Sequence, residues 1–462
     1  MNFFKSFAYL VSTLCALTLF TGCAAKSTKA SQIESQSANA QKKLDQFYPL
    51  QIKESLVSIN IIDRNGLSET ISSKERVQMY QNVDFLSPQP YQKVLRAFAK
   101  NKLGENRSVI TSYHSNGEPK QYLEAIGGRA HGTYCEWHAN GKKKLLATII
   151  EGGADLDEKA QLSWSFDKVC FAWDEDGNLE TQIPYEKGDI HGKALYYHPG
   201  GKLAQVVPYA KDEVDGEIQS FSSDVLLIES SQFCKGLAHG PSIGYWLDEN
   251  QKPTIQFQEQ FQNDLLEEAS YYDKAGALIS TITHGLGKRC LFDDTGPAEF
   301  YEYKDGKAEG EVTIFENNKT LCCRYFLKDD QKHGEELRYY TPKPFSSSSK
   351  NEKLIPKLSI QWYEGKIHGM VRSWYEDGTP ESQREMSQNE KQGHLTAWYR
   401  NGSLMLIEEY EKGRLIRGEY LKKGETAPVS QIEHGKRLAM LYDGEGNFYR
   451  KARYQDGKPL DE

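Results

Sequence analysis

The sequence predicts an all-β fold, an elongated array of antiparallel β-hairpin repeats that form a meander behind a small N-terminal α+β cap. The first observation is a phrase, Gly-x-x-x-Gly, that recurs through most of the chain, as in Gly188–Gly192 and Gly365–Gly369. The second is its period, because the closing glycines Gly192, Gly216 and Gly240 lie 24 residues apart. The third is an Asn-Gly or Asp-Gly dipeptide that keeps a constant position within the repeat. Self-similarity at such a fixed period indicates a repeat architecture.

Each repeat is predicted to contain two strands and two turns. The segment from Leu179 to Tyr185 alternates apolar residues with polar residues or proline, and a period of two is typical of a strand with one buried face. The preceding Asp176-Gly177 indicates a tight hairpin turn, because glycine tolerates the positive φ that primed turns require. The expected order is strand, tight turn, strand and a looser Gly-x-x-x-Gly turn.

The closing glycine of each phrase, called here the anchor glycine, is predicted to hold a structural turn. If Gly192 and Gly369 have conformations closed to β-branched residues, a valine there should cost about 1–3 kcal/mol. Gly152 lies in a predicted insertion, so the same change there is expected to cost less. The anchor glycines singled out by the pattern are Gly132, Gly192, Gly240, Gly310, Gly334, Gly369 and Gly393.

An aromatic residue follows the anchor glycine by five positions in many repeats. Aromatic side chains that recur on one face of a sheet are expected to form a ladder, each cross-strand contact contributing about 0.2–1 kcal/mol. The members of this aromatic ladder are Trp137, Tyr197, Phe221, Phe292, Phe315, Tyr339, Trp374 and Trp398.

Residues 1–22 have the features of a signal peptide. They contain one cation, Lys5, followed by a short apolar run from Phe7 to Phe20, an arrangement that is typical of export. The ending Thr21-Gly22-Cys23 resembles a bacterial lipobox, which implies that Cys23 carries lipid and becomes the mature N-terminus. The alternative is an uncleaved N-terminal anchor.

Residues 23–43 are predicted to be the lipidated cysteine and a flexible tether, since Ala, Ser, Lys and Gln dominate and aromatic residues are absent. No Asp follows Cys23 in Ala24-Ala25. By resemblance to enterobacterial sorting, this implies a lipoprotein of the outer membrane that faces the periplasm or the exterior.

The remaining boundaries follow from where the repeat pattern begins and weakens. Residues 44–90 are predicted to be an N-terminal cap with a hairpin and a short helix, residues 91–423 the repeats, and residues 424–462 a C-terminal repeat or cap. Two stretches that disturb the period, near 152–158 and 342–349, are predicted to be surface loops.

The combination of Gly-x-x-His-Gly, Tyr/Trp-Tyr and Asn-Gly at a period of 24 residues resembles the bacterial variant of the MORN (membrane occupation and recognition nexus) repeat. The resemblance implies a scaffold, since MORN-type arrays act as scaffolds in many settings, some at membranes. Some bacterial relatives carry an antitoxin label. The predicted export signal argues against that role, because a cytoplasmic toxin would be out of reach.

Composition and side-chain spacing indicate no chemistry of catalysis. The formal net charge of −8 makes the chain a poor nonspecific ligand for nucleic acid. Histidines recur at one repeat position, where neighbours would lie about 10 Å apart, too far for shared metal coordination. No catalytic residue, metal or cofactor is therefore expected, and six cysteines are predicted to be mainly buried apolar residues. The histidines are His131, His191, His239, His333 and His368, and the cysteines are Cys135, Cys170, Cys234, Cys290, Cys322 and Cys323.

The sequence therefore predicts a non-enzymatic, envelope-anchored repeat scaffold that binds a protein or an envelope component. Two alternatives remain open at this stage. One is a secreted interaction or virulence factor, and the other is an enzyme of cell-envelope polymers whose site the motifs do not reveal.

Overall fold

The computed structural model describes residues 56–100, 104–316, 320–341 and 354–460. The strand pairings within these ranges are antiparallel, and the helices found there are two short ones, α1 (Lys74–Gln78) and α2 (Glu158–Gln161). The predicted fold class, an all-β array of antiparallel hairpin repeats, is confirmed. No helix in the described ranges combines the length and apolar character needed to cross a membrane. The predicted signal peptide, Cys23, the tether and the second insertion lie outside the described residues.

The chain divides after Asp264 into two compact units. In the first unit, β1 pairs with β2 and with β3, and from β3 onward the strands follow one another as a meander. Its strands are β1 (Leu56–Asp63), β2 (Ser68–Ile71), β3 (Gln92–Lys100), β4 (Asn106–Tyr113), β5 (Pro119–Ile126), β6 (Arg129–Trp137), β7 (Lys143–Glu151), β8 (Ser165–Trp173), β9 (Leu179–Glu186), β10 (Asp189–Ile190), β11 (Gly192–Tyr197), β12 (Leu203–Ala210), β13 (Glu213–Val214), β14 (Gly216–Phe221), β15 (Leu227–Cys234), β16 (Leu237–Leu247) and β17 (Pro253–Gln262).

The N-terminal segment contains a hairpin and a short helix. β1 and β2 are joined across Ile59 and Ile71, and both side chains are buried. Ser73 precedes α1 in extended conformation, but its side chain makes no capping hydrogen bond. The stretch before the first repeat turn is β3.

Both faces of the sheet in the first unit carry buried clusters. The aromatic face is defined as the one that carries the residues three and five positions after each anchor glycine, because successive side chains alternate. Here Cys135, Phe171 and Trp173 are buried on this face together with Phe85 from the N-terminal segment. Tyr113 donates a hydrogen bond of 2.7 Å from its hydroxyl to the Phe85 carbonyl, which fixes that segment over the sheet.

The first insertion covers the opposite face of the same unit. Trp164, at its end, is 7% exposed and packs edge-on against Tyr134, with ring centroids 4.6 Å apart. Asp155 accepts two hydrogen bonds of 2.7 Å from the Arg96 guanidinium on β3. The end of the first insertion therefore packs on the sheet, because the indole ring gains more by burial there than it could in solvent.

In the second unit, β18 to β32 form a meander, and β33 to β35 form a separate three-stranded sheet. Its strands are β18 (Leu265–Tyr272), β19 (Leu278–Thr283), β20 (Leu286–Phe292), β21 (Pro297–Lys304), β22 (Lys307–Glu316), β23 (Thr320–Lys328), β24 (Gln331–Lys332), β25 (Gly334–Tyr339), β26 (Pro356–Tyr363), β27 (Lys366–Trp374), β28 (Pro380–Ser387), β29 (Glu390–Trp398), β30 (Leu404–Glu411), β31 (Arg414–Leu421), β32 (Pro428–Ile432), β33 (Arg437–Tyr442), β34 (Phe448–Gln455) and β35 (Lys458–Pro459).

Burial is lower across the middle of the second unit. No residue of β21, β23, β28 or β29 is fully buried, whereas β5 in the first unit buries three hydrophobic side chains, Tyr122, Leu123 and Ala125. A buried cluster forms at the C-terminal end of the second unit around Tyr410, Leu415, Tyr420 and Ile432. The sheet between residues 297 and 400 therefore exposes much of its surface.

Candidate binding surface

Each anchor glycine lies in a β-bulge near the start of the strand that follows the looser turn. Leu123 pairs with Tyr134 and Ala125 with Ala130, so three residues around Gly132 oppose Glu124 alone. A Cβ on Gly132 would lie 2.9 Å from the Glu124 Cβ. The bulge therefore needs glycine for its backbone conformation and for the close approach of the neighbouring strand.

The same geometry recurs at the other anchor positions. A Cβ on Gly369 would lie 3.1 Å from the Gln361 Cβ, and one on Gly192 would lie 3.2 Å from the Pro184 Cγ. The seven predicted anchor glycines have positive φ values from +73° to +119°. Each bulge sets the register of the strand that carries the aromatic residue five positions later.

In the first unit, a histidine joins consecutive repeats at the hairpin-turn edge. His114, His138 and His198 each place Nε2 2.9 Å from a backbone carbonyl oxygen at the end of a strand in the next repeat. Because a carbonyl only accepts, Nε2 must carry the hydrogen. The acceptors are the carbonyls of Trp137, Trp173 and Phe221.

In the second unit, a tyrosine occupies the position that a histidine has at the hairpin-turn edge of the first unit. The hydroxyls of Tyr340, Tyr375 and Tyr399 donate to strand-end carbonyls of the next repeat at 2.7, 2.8 and 2.7 Å. Burial raises the pKa of both Tyr375 and Tyr399 to about 12, so these donors keep their protons at neutral pH. The acceptors are the carbonyls of Trp374, Trp398 and Leu421. These six hydrogen bonds are called the turn-edge contacts.

Sequence inspection missed the turn-edge contacts, although the signal was present. The donor is the residue directly after the last aromatic or bulky residue of the strand, and it is His or Tyr in all six cases. At several other turns this residue is an aspartate, such as Asp273 or Asp443, which accepts hydrogen bonds from its own turn backbone instead.

The members of the aromatic ladder have different neighbours in the two units, and all except Phe221 are half-buried. In the first unit, Trp137 packs against the buried cluster of the aromatic face, and Tyr197 packs beside Phe221, which is 4% exposed. In the second unit, the ring of Phe292 lies 6.4 Å from that of Tyr271, and the ring of Phe315 lies 5.9 Å from that of Phe300. The ladder members Tyr339, Trp374 and Trp398 are half-buried.

Polar side chains surround the last of these aromatics. One continuous cross-strand row runs from Ser359 through Arg372 and Gln383 to Thr396, on the same face as the tryptophans. Arg372 is exposed, and Gln383 and Thr396 are half-buried. This part of the aromatic face therefore combines half-buried rings with accessible hydrogen-bonding groups.

The opposite face of the second unit carries satisfied polar networks. The Glu336 side chain is fully buried and pairs with Lys332 Nζ and Arg338 Nε, each at 2.7 Å, and it accepts from Trp362 Nε1 at 2.9 Å. Burial acts to raise the pKa of Glu336, but the hydrogen bonds from Lys332 and Arg338 outweigh it and lower that pKa below its ordinary value. Lys332 also lies 4.4 Å from the centre of the Tyr325 ring.

A second network follows further along the same face. Glu408, which is 6% exposed, accepts hydrogen bonds from the hydroxyls of Tyr410 at 2.8 Å and Tyr420 at 2.6 Å. Burial raises the pKa of both tyrosines, and the adjacent Glu408 carboxylate raises it further. Because these acids already have partners, the opposite face serves the structure rather than offering free acid or base groups.

Histidines and cysteines of the described ranges form no metal-binding cluster. Within the described ranges, no group of three or more His, Cys, Asp or Glu side chains is placed to hold a metal ion. His131 places Nδ1 2.9 Å from the Ile150 carbonyl, and His239 places Nδ1 3.1 Å from Asn263 Oδ1. The six cysteines of the described chain are free thiols, of which Cys234 is exposed.

Comparison with known proteins supports the repeat. Residues 190–211, which include the anchor glycine Gly192, match the family model described as a MORN repeat variant. The match supports a MORN-type repeat protein, in agreement with the all-β hairpin fold. No curated protein matches the chain significantly.

Among solved structures, the chain aligns with a candidate 6-phosphogluconolactonase from Bacteroides uniformis. The aligned residues are 12% identical and cover 82% of this chain and 99% of that chain, with a TM-score of 0.14. A likeness this weak carries no argument about fold or function.

Proposed function

We propose that this protein is a non-enzymatic repeat scaffold, anchored to a bacterial envelope membrane through Cys23, that binds an envelope component on the aromatic face of its second unit. The observation that supports binding is the exposure of that face. Trp374 and Trp398 are half-buried beside the exposed Arg372, while the same face of the first unit packs against Tyr80 and Phe85 between β3 and β9. Half-exposed aromatic and Arg side chains are enriched where proteins bind partners.

The sequence Thr21-Gly22-Cys23 supports the anchor. Cys23→Ala should abolish lipid labelling and move the protein from the membrane to the soluble fraction, and fractionation with metabolic palmitate labelling measures both. The matched control is Cys234→Ala, which removes an exposed thiol and should leave the protein in the membrane. Unchanged membrane association of the Cys23 variant would contradict the anchor, and release of the wild-type protein into the medium would favour a secreted factor.

A photo-crosslinking residue tests the binding face in intact cells. Introduced at the exposed Arg372 of the aromatic face, it should give a defined adduct with an envelope component. The control is the same residue at the exposed Lys193 of the first unit, which should give none. Equal adducts at both positions would show that the face is not a specific binding surface.

A further inference from the structure

We infer that the aromatic face between β25 and β31 binds a linear β-1,4-linked glycan, the amino-sugar strand of the bacterial cell wall, laid across the β-strands. The inference rests on the proposed function, because the envelope anchor is what brings this glycan within reach. It names the ligand class of the binding surface.

The first argument is spacing. Tyr339, Trp374 and Trp398 lie on β25, β27 and β29, so consecutive members are two strands apart in the meander. Two strand spacings amount to about 9.6 Å. That distance is close to two pyranose rings laid end to end, which is the repeat of an extended β-1,4-linked chain. One glycan strand could therefore place every second sugar on an aromatic residue without bending.

The second argument is the rigidity of the aromatic positions. The Trp374 carbonyl accepts a hydrogen bond of 2.7 Å from the Tyr340 hydroxyl, and the Trp398 carbonyl accepts one of 2.8 Å from the Tyr375 hydroxyl. The cross-strand neighbours of the two tryptophans are Pro380 and Leu404, two side chains of limited flexibility beside the rings. A preorganised platform loses little entropy when a ligand binds.

The third argument is the chemistry beside the platform. A pyranose ring presents C–H groups on its face and hydroxyls at its edge, so it needs an aromatic surface flanked by planar hydrogen-bonding groups. Arg372 and Gln383 form one cross-strand pair next to the tryptophans. Glu385 and His394, both exposed, lie further along the same face and extend the polar margin.

The same composition disfavours other ligands. The row Ser359–Arg372–Gln383–Thr396 is polar and separates the aliphatic side chains of Leu337 and Ile407 at its two ends. A docked amphipathic helix needs a continuous apolar groove instead. The net charge of −8 disfavours a polyanionic strand, which binds through many uncompensated cations.

Binding by the full-length protein in detergent provides the test. The hexamer of β-1,4-linked N-acetylglucosamine should bind in calorimetry and change tryptophan fluorescence, and the α-1,4-linked glucose hexamer should not. Trp374→Ala and Trp398→Ala should each weaken binding at least tenfold, with an unchanged circular dichroism spectrum. The control Tyr449→Ala removes an aromatic that is 71% exposed in the separate C-terminal sheet and should bind like wild type.

The polar variants Arg372→Ala and Gln383→Ala keep the test decisive if a tryptophan variant fails to fold, since each should weaken binding several-fold. Cosedimentation with purified peptidoglycan should follow the same order of variants. Equal binding of the α-linked hexamer, or full binding by both tryptophan variants, would overturn the glycan assignment. If the wild-type protein does not bind the glycan but the crosslink at position 372 is still found, only the ligand class is overturned. If neither the glycan binding nor the crosslink is found, the proposed binding face is overturned as well.

Discussion

The two units share one repeat pattern, yet β4 to β9 of the first unit bury side chains on both faces of the sheet, whereas the second unit leaves much of its sheet half-exposed. In the first unit, Phe85 covers the aromatic face and Trp164 covers the opposite face. Both residues come from segments that do not belong to the repeat. In the second unit, the strands around Trp374 and Trp398 keep half-buried side chains. The difference teaches that the repeat sets strand order and register, while non-repeat segments decide which face becomes core.

The largest effect is expected at Gly152, which reverses the expectation drawn from its place in an insertion. Its φ is +146°, and a Cβ would meet the Trp164 ring and lie 2.9 Å from the Ser163 carbonyl oxygen. Gly152→Val should therefore destabilise the first unit by more than about 3 kcal/mol, since backbone strain and overpacking add. Urea denaturation followed by tryptophan fluorescence measures the free energy of unfolding.

Two comparisons sharpen that result. Gly369→Val should cost about 1–3 kcal/mol, because the added Cβ would lie 3.1 Å from the Gln361 Cβ, a milder contact than the one at Gly152. Gly200→Ala, where a Cβ would meet nothing within 4 Å, should cost about 1 kcal/mol from φ alone. A smaller loss at Gly152 than at Gly369 would show that the insertion does not pack as described.

The next effect concerns the buried acid of the second unit. Glu336→Gln should destabilise this unit by about 1–3 kcal/mol at pH 7, because Lys332 and Arg338 lose a charged partner. The folded-state pKa of Glu336 lies below its ordinary value. Its stabilising contribution is therefore complete above the unfolded pKa of about 4.3 and is lost as the pH falls through the folded pKa.

Denaturation at pH 7 and at acidic pH separates this contribution from the general acid response. The variant should lose less stability than wild type as the pH falls, while Glu411→Gln, at an exposed position of β30, should retain the wild-type dependence. Parallel pH profiles for wild type and Glu336→Gln would contradict the role of the network.

The turn-edge contacts should give a smaller effect. Tyr399 is 0% exposed, and Tyr399→Phe leaves the Leu421 carbonyl without its partner, which should cost about 1 kcal/mol. His138→Phe, at the half-buried counterpart in the first unit, should cost less because water can replace the lost donor. An equal or greater loss of stability for His138→Phe would contradict the expectation that water replaces the lost donor at that position.

The last prediction concerns the reactivity of the cysteine thiols, which can be measured without a change in the stability of the protein. Burial raises the pKa of Cys135, Cys170 and Cys290 to about 12, so these thiols should resist iodoacetamide in the native protein at pH 8. The exposed Cys234 should be alkylated first, as mass spectrometry of tryptic peptides can show. Rapid labelling of Cys135 would contradict the closed core of the first unit.

Periodicity was enough to predict the fold class, because the spacing of Gly192, Gly216 and Gly240 is a local property of the chain. The recurring glycines also marked the positions at which the structure has bulges. The pattern did not reveal the bulge geometry that places Gly132 against Glu124. Burial could not be predicted in this way. Trp164 is one aromatic in a polar stretch, and its packing on Tyr134 depends on a contact 30 residues away in sequence.

The turn-edge contacts also bear on how such a chain can lengthen. Each contact joins one repeat to the next, and the spacing from Tyr375 to Tyr399 equals the 24-residue period. A duplicated segment of that length would bring its own hydroxyl donor and its own carbonyl acceptor, so the copy would join its neighbours without any new interface. A gene encoding this protein could therefore gain or lose whole repeats by recombination, whereas a partial repeat would break the hydrogen bonding on both of its sides.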